Sequence, residues 1–96
     1  ETRGIIKAIG KNTPVSSTKS MMGHLVAACG AVETIVSLQA IRNGILPPTR
    51  NLESIDPDCA LNHIPHYARE VKIDHAISNA FGFGGSNGTV VVSRWQ

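Results

Sequence analysis

At 96 residues the chain has the size of one domain, and its 42% hydrophobic content is that of an ordinary globular protein. Nine basic residues against seven acidic leave a net charge of +2 without any Lys/Arg run, too weak to argue for nucleic acid, and with aromatics at 4% a base-stacking surface is not expected. Two cysteines make no disulfide framework, no stretch of about 18 apolar residues is available to span a bilayer, and no signal-peptide pattern opens the chain. A reducing setting, cytoplasmic or organellar, is the expectation.

The first element is a helix over residues 1–10. Ile5, Ile6 and Ile9 share one face at spacings of three and four, and Gly10 suits its end. It carries no start signal, so the chain is expected to be a piece of something larger. Lys11-Asn12-Thr13-Pro14 is a turn and Val15-Ser16-Ser17 a short strand. A segment with one lysine and one histidine follows, Thr18–His24. From Gly23 to Asn43 the pattern predicts one long helix, apolar almost all round, with small residues (Ala27, Ala28, Gly30, Ala31) crowding its first turns. Such a helix should be buried on most sides, and should expose apolar surface wherever its covering partner is absent. Gly44 stops it and Pro47-Pro48 forbids continuation.

Residues 45–70 read as a loop-rich excursion punctuated by prolines, with at most a short strand near Ala60–Ile64. Val71–Ile73 is a further strand candidate. His75–Ala80 and Thr89–Ser93 are the clearest strands, and the glycine-rich loop between them predicts a hairpin.

Two segments carry chemistry. In the first, Lys19 and His24 stand between a short strand and the long helix. His24 is either a packing or capping histidine, or a neutral imidazole at a helix N-terminus, able to donate to a developing oxyanion. Glu33 is the one carboxylate within the apolar helix and needs a partner. Lys19 is the nearest conspicuous cation, which makes it an organiser and not a nucleophile. In the second, Phe81-Gly82-Phe83-Gly84-Gly85-Ser86-Asn87-Gly88 is either a turn-glycine loop or a backbone cradle for a carbonyl oxygen, with Phe81 and Phe83 as movable apolar gates. A dinucleotide fingerprint fails, because Asn87 stands where a glycine is required and a strand follows where a helix should. No Walker phosphate loop is present. His63 and His66 lack metal-site support, since Pro65 breaks the helix their spacing would need. Cys29 reads as a small hydrophobe.

Taken together and in order, four motifs resemble the second half of the β-ketoacyl-[acyl-carrier-protein] synthases of the elongating type. They are Val15–Leu25, Ala27–Glu33, Leu46-Pro47-Pro48-Thr49-Arg50-Asn51-Leu52 and Ser78–Asn87. The resemblance covers residues 1–96 as one C-terminal synthase unit. It implies an α/β, thiolase-like fold in which each half is a mixed five-stranded sheet flanked by helices. It implies decarboxylative Claisen condensation of malonyl-acyl carrier protein with an acyl thioester. His24 matches the second catalytic histidine, Lys19 the lysine of its motif, and Glu33 the acid that holds the lysine. Phe83 matches the gate whose backbone N–H completes an oxyanion hole, with Gly82, Gly84 and Gly85 as its hinge. The resemblance implies no metal and no cofactor. The implied partners are acyl carrier protein, acyl and malonyl thioesters, the first half of the same enzyme, and a second copy in a homodimer, with no nucleic acid and no membrane.

Neither Cys29 nor Cys59 lies in the nucleophile's motif, and the motif of the first histidine is absent too. Two alternatives stay open: a polyketide-type ketosynthase or its chain-length partner, and a non-catalytic interaction module on a synthase-like core.

Overall fold

The computed structural model describes all residues, 1–96. Helix α1 spans Thr2–Ile9 and ends at Gly10. Of its three isoleucines, Ile5 and Ile9 line a cleft described below and Ile6 does not, and Ile6 and Ile9 are both exposed. Strand β1 is Pro14–Val15, shorter than predicted and one residue earlier. Lys19–Met22 then forms a single helical turn, α2, where an open loop was expected.

The long helix starts six residues later than its apolar pattern suggests. A 3₁₀ turn occupies Val26–Ala28, and helix α3 runs from Cys29 to Asn43. The delay has a backbone cause: Gly23, Leu25 and Val26 have φ values of 80°, 60° and 43°. A left-handed backbone cannot continue a right-handed helix, and at β-branched Val26 it is strained. Apolar periodicity is blind to this, because it scores side chains and not torsions. At its far end α3 stops as predicted. Gly44, at φ 66°, donates its N–H to Ala40 O at 2.9 Å, a left-handed closure that suits glycine. The Arg94 guanidinium donates to the Ile41 carbonyl, which the helix itself leaves unpaired, and also pairs with Asp74 at 3.2 Å.

The strands pair two by two, so this chain holds no five-stranded sheet of its own. β1 runs parallel to β3 (Asn62–His63), with Val15 opposite His63. β2 (Ile45–Leu46), which the sequence did not announce, lies antiparallel to β4 (Arg69–Glu70). β4 replaces the strand expected at 71–73. The predicted hairpin forms as β5 (His75–Phe81) and β6 (Asn87–Ser93), in unbroken register from His75 opposite Ser93 to Phe81 opposite Asn87. Helix α3 packs along β5. Between the helix and the short strands sits a small core of Ala40, Leu46 and Ile64, with Ile73 against it.

Helix α3 is not buried on most sides: within it only Cys29, Ala40 and Ile41 are buried, while Ile35 and Leu38 stand exposed. Only seven of the 96 residues are buried in all. The accessible surface is 6974 Å², against about 5300 Å² for a compact folded monomer of this size. No helix is long and apolar enough to cross a membrane.

This excess surface leads to an expected outcome. The isolated 96-residue chain should self-associate at micromolar concentration and bind a hydrophobic dye. Light scattering coupled to size exclusion checks it, and a monodisperse, dye-silent monomer would contradict it.

Candidate active site

Lys19 opens α2, and its Nζ donates to Glu33 Oε1 at 2.7 Å, the pairing expected from sequence. Glu33 lies on the second turn of α3. One helical turn earlier, on the same face, Cys29 donates its thiol to the same oxygen at 3.2 Å. Cys29 is therefore a polar partner here and not merely a small hydrophobe; its i, i+4 spacing to Glu33 was the available signal. Burial pushes the Glu33 carboxyl up, but the hydrogen bonds from Lys19 and Cys29 and the nearby cation outweigh it, so the carboxyl titrates below its ordinary 4.5. The hydrogen bond to Glu33 holds the Lys19 ammonium above its ordinary 10.5, against the opposing effect of burial. A lysine held charged in this way organises; it does not attack.

His24 follows α2 by two residues. The sequence put it at the N-terminus of the long helix, where the helix dipole would act on it. It sits instead on the left-handed excursion ahead of the 3₁₀ turn, and a single backbone amide fixes it: Val26 N–H donates to His24 Nδ1 at 3.1 Å. An Nδ1 that accepts carries no proton, so the neutral ring carries its proton on Nε2 and presents it as a donor. Strain at Leu25 and Val26 accompanies this arrangement; left-handed non-glycine residues cost about 1–3 kcal/mol each and persist where the surroundings impose them.

Lys19, His24, Cys29 and Glu33 line one open cleft of about 1270 Å³, which α1, α3 and the hairpin wall together. Phe81 and Gly82 reach the same cleft, whereas Phe83, Gly84 and Gly85 are not among its lining residues. Those three occupy the tip of the hairpin loop, which Gly82 N–H closes onto Ser86 O at 2.7 Å. Gly84 and Gly85, at φ 86° and 85°, permit a reversal that residues with a Cβ resist. Phe83 is fully exposed at that tip and Phe81 is exposed beside it. The structure thus brings the first segment together tightly and leaves the gate candidate outside the cleft.

Sequence reading missed one further set of contacts. Thr49 Oγ1 accepts from Ser17 N–H, and Ser20 Oγ accepts from Arg50 N–H, both at 2.8 Å. These partners are 32 and 30 residues apart, and no local pattern signals such pairs. His63, which has no metal-site partners in the sequence, shares a 2.6 Å hydrogen bond between Nε2 and the Cys59 carbonyl.

Residues 1–53, which include Lys19, His24 and Glu33, match the family model of the beta-ketoacyl synthase C-terminal domain. The chain belongs to this family. Over 97 residues it is 54% identical to the 3-oxoacyl-[acyl-carrier-protein] synthase 2 of Coxiella burnetii, covering 98% of this chain and 23% of that protein. The crystal structure of a beta-ketoacyl synthase from Burkholderia phymatum superposes with a TM-score of 0.94 at 34% identity, over 100% of this chain and 24% of that one. A ketosynthase structure determined as a complex with its type II polyketide acyl-carrier protein superposes at 0.93 with 31% identity, over 99% of this chain and 24% of that one. The α/β fold is therefore the thiolase-like fold of ketosynthases, and the chain spans about a quarter of the length of the relatives it matches.

For this family member the ion pair carries a pH signature. Glu33 has a lowered folded value, so its contribution to stability is present above 4.5 and is lost as pH falls through that lowered value. Lys19 has a raised value, so its contribution is present below 10.5 and is lost as pH rises past the raised value. The pair is intact between these limits. With the Lys19 side chain 42% exposed, solvent screening keeps the pair's worth to about 1 kcal/mol. Glu33→Gln in the intact protein should lower the unfolding temperature by a few degrees at pH 7 and flatten the loss of stability below pH 4.5. Thermal unfolding between pH 3 and 8 measures both; an unchanged acid limb would show that the pair is not the titrating element.

Proposed function

We propose that this chain forms the C-terminal part of a β-ketoacyl-[acyl-carrier-protein] synthase of fatty acid chain elongation. The observation that carries the reading is the His24 ring. Its Nδ1 is engaged by a backbone amide, its Nε2–H is free to donate, and it faces a cleft shared with a charged Lys19–Glu33 pair. A ring N–H donor on the wall of a cleft suits a carbonyl oxygen that gains negative charge.

In the reaction, the malonyl thioester loses carbon dioxide as its C–C bond electrons become those of an enolate. His24 Nε2–H holds the enolate oxygen. The enolate carbon attacks the carbonyl of an acyl group held as a thioester on a cysteine; the new C–C bond forms and the cysteine leaves as thiolate. That cysteine is neither Cys29, whose thiol is engaged with Glu33, nor Cys59, and it belongs to residues beyond this chain. Lys19 and Glu33 hold the α2 turn that ends two residues ahead of His24. Phe83 is assigned the gate role, with Gly82, Gly84 and Gly85 as its hinge, a role that requires the exposed loop tip to swing toward the cleft. The reading includes acyl carrier protein as donor of both thioesters, a homodimer in the full-length enzyme, and a cytoplasmic or organellar setting. It requires no metal or cofactor.

A polyketide-type ketosynthase is the second reading, favoured by the likeness to a ketosynthase solved with a polyketide carrier protein. Product analysis separates the two: a fatty acid enzyme elongates reduced acyl chains, and a polyketide enzyme elongates chains bearing unreduced ketones.

His24→Ala in the full-length enzyme should lower carbon dioxide release from malonyl-acyl carrier protein by roughly 100- to 1000-fold, the usual cost of losing an oxyanion donor. A loss under about tenfold would remove His24 from this role. The 96-residue chain alone should form no carbon–carbon bond from malonyl and acyl thioesters; measurable condensation by it would overturn the assignment of the nucleophile to other residues.

A further inference from the structure

Helix α2 is a single turn of four residues, and one turn is too short to hold its own shape in water. Something else must fix the position of Lys19 and, just beyond it, His24. Two hydroxyls do so on either side of Lys19. Thr49 Oγ1 accepts the Ser17 N–H two residues before it, and Ser20 Oγ accepts the Arg50 N–H one residue after it. Each segment supplies one hydroxyl and one amide, so the turn and the 49–50 segment are bolted reciprocally.

The far side of the bolt is anchored in the core. Thr49 N–H donates to Ile64 O at 2.7 Å, and His66 N–H donates to Thr49 O. Ile64 is one of the most buried residues in the chain, and its own N–H reaches Val15 O. Arg50 adds a contact from its guanidinium to His66 O at 3.1 Å. Pro47 and buried Pro48 stiffen the approach to Thr49. A continuous set of hydrogen bonds thus runs from the core, through Thr49 and Arg50, to the turn that presents Lys19 and His24.

We infer that Ser20 and Thr49 are positioning residues for the active site, acting through the α2 turn to set where His24 meets the substrate oxygen. The inference rests on the role proposed above for His24. The hydrogen bonds lie among exposed groups of this chain, where water replaces a lost partner, so their removal costs the chain itself little stability. Placement of a catalytic group is far less forgiving, since a shift of about 1 Å can cost up to about 100-fold in rate.

The test uses the full-length enzyme and four variants: Ser20→Ala, Thr49→Ala, Thr49→Ser and His24→Ala. Decarboxylation kcat, KM for malonyl-acyl carrier protein and unfolding temperature are measured for each. The expected result is a loss of roughly tenfold or more in kcat for Ser20→Ala and Thr49→Ala, within the range known for misplaced groups. KM and unfolding temperature should barely move, and Thr49→Ser, which keeps the hydroxyl, should recover the rate. Full kcat in both alanine variants, alongside a severe loss in His24→Ala, overturns the bolt and leaves the site reading standing. Activity lost in step with unfolding temperature, without recovery in Thr49→Ser, also overturns it, because the contacts would then be structural alone. Full activity in His24→Ala overturns the underlying site reading and this inference with it.

Discussion

The Lys19–Glu33 ion pair closes the stretch of chain between α2 and α3, a stretch that no regular structure could hold by itself. Its members are 14 residues apart, and between them the backbone turns left-handed twice at non-glycine residues. Strain of that kind, about 1–3 kcal/mol at each residue, persists only where the surroundings impose it, and a pair worth about 1 kcal/mol is one contact among those that do. The pair fixes one end to a 15-residue helix and the other to the α2 turn. His24 lies inside the closed segment; the Val26 amide orients its ring, and the pair helps hold the backbone on which both sit. Cys29 reinforces the same carboxylate oxygen, which keeps the acceptor ionised despite its burial.

Around this closure the chain is short of burial. Three separate strand pairs and a core of a few aliphatic residues hold it together, and the hairpin packs on α3 by one face. Large apolar side chains on the other surfaces meet solvent, among them Ile35, Leu38, Ile77 and Val91. A chain that spans about a quarter of its relatives and exposes more surface than a compact domain of its size is held by individual hydrogen bonds and short strand pairs, not by a deep core. The cleft shares this openness. The residues that give it chemistry sit on its wall, and the loop bearing Phe83 stands away from it.

Much of the site was legible because its signals are local or chemically exclusive. Glu33 is the lone carboxylate in an apolar helix, and a conspicuous lysine preceded it, so the pairing followed from the cost of an unpaired buried charge. The hairpin followed from two β-rich runs around glycines, and the stop of α3 from Gly44 and two prolines. The start of α3 was misread because Leu25 and Val26 look helical as side chains while their torsions are not. β2 and β4 were missed because two-residue strands carry no periodicity. The contacts of Thr49 with Ser17 and of Arg50 with Ser20 join residues 30 and more apart, beyond any local rule.

The sequence by itself determined which groups are available: a lysine with a carboxylate to meet it, a histidine at a junction, a glycine loop free to reverse, and no nucleophile in the required motif. It determined these because residue identity sets chemistry, and local spacing sets helices, hairpins and caps. Only the tertiary structure decided how they face one another. It chose the Val26 amide, and not a helix dipole, to set the tautomer of His24; it directed the Cys29 thiol to Glu33; and it left Phe83 outside the cleft. Those outcomes come from backbone torsions and from contacts between segments distant in the chain, which exist only once the chain has closed on itself.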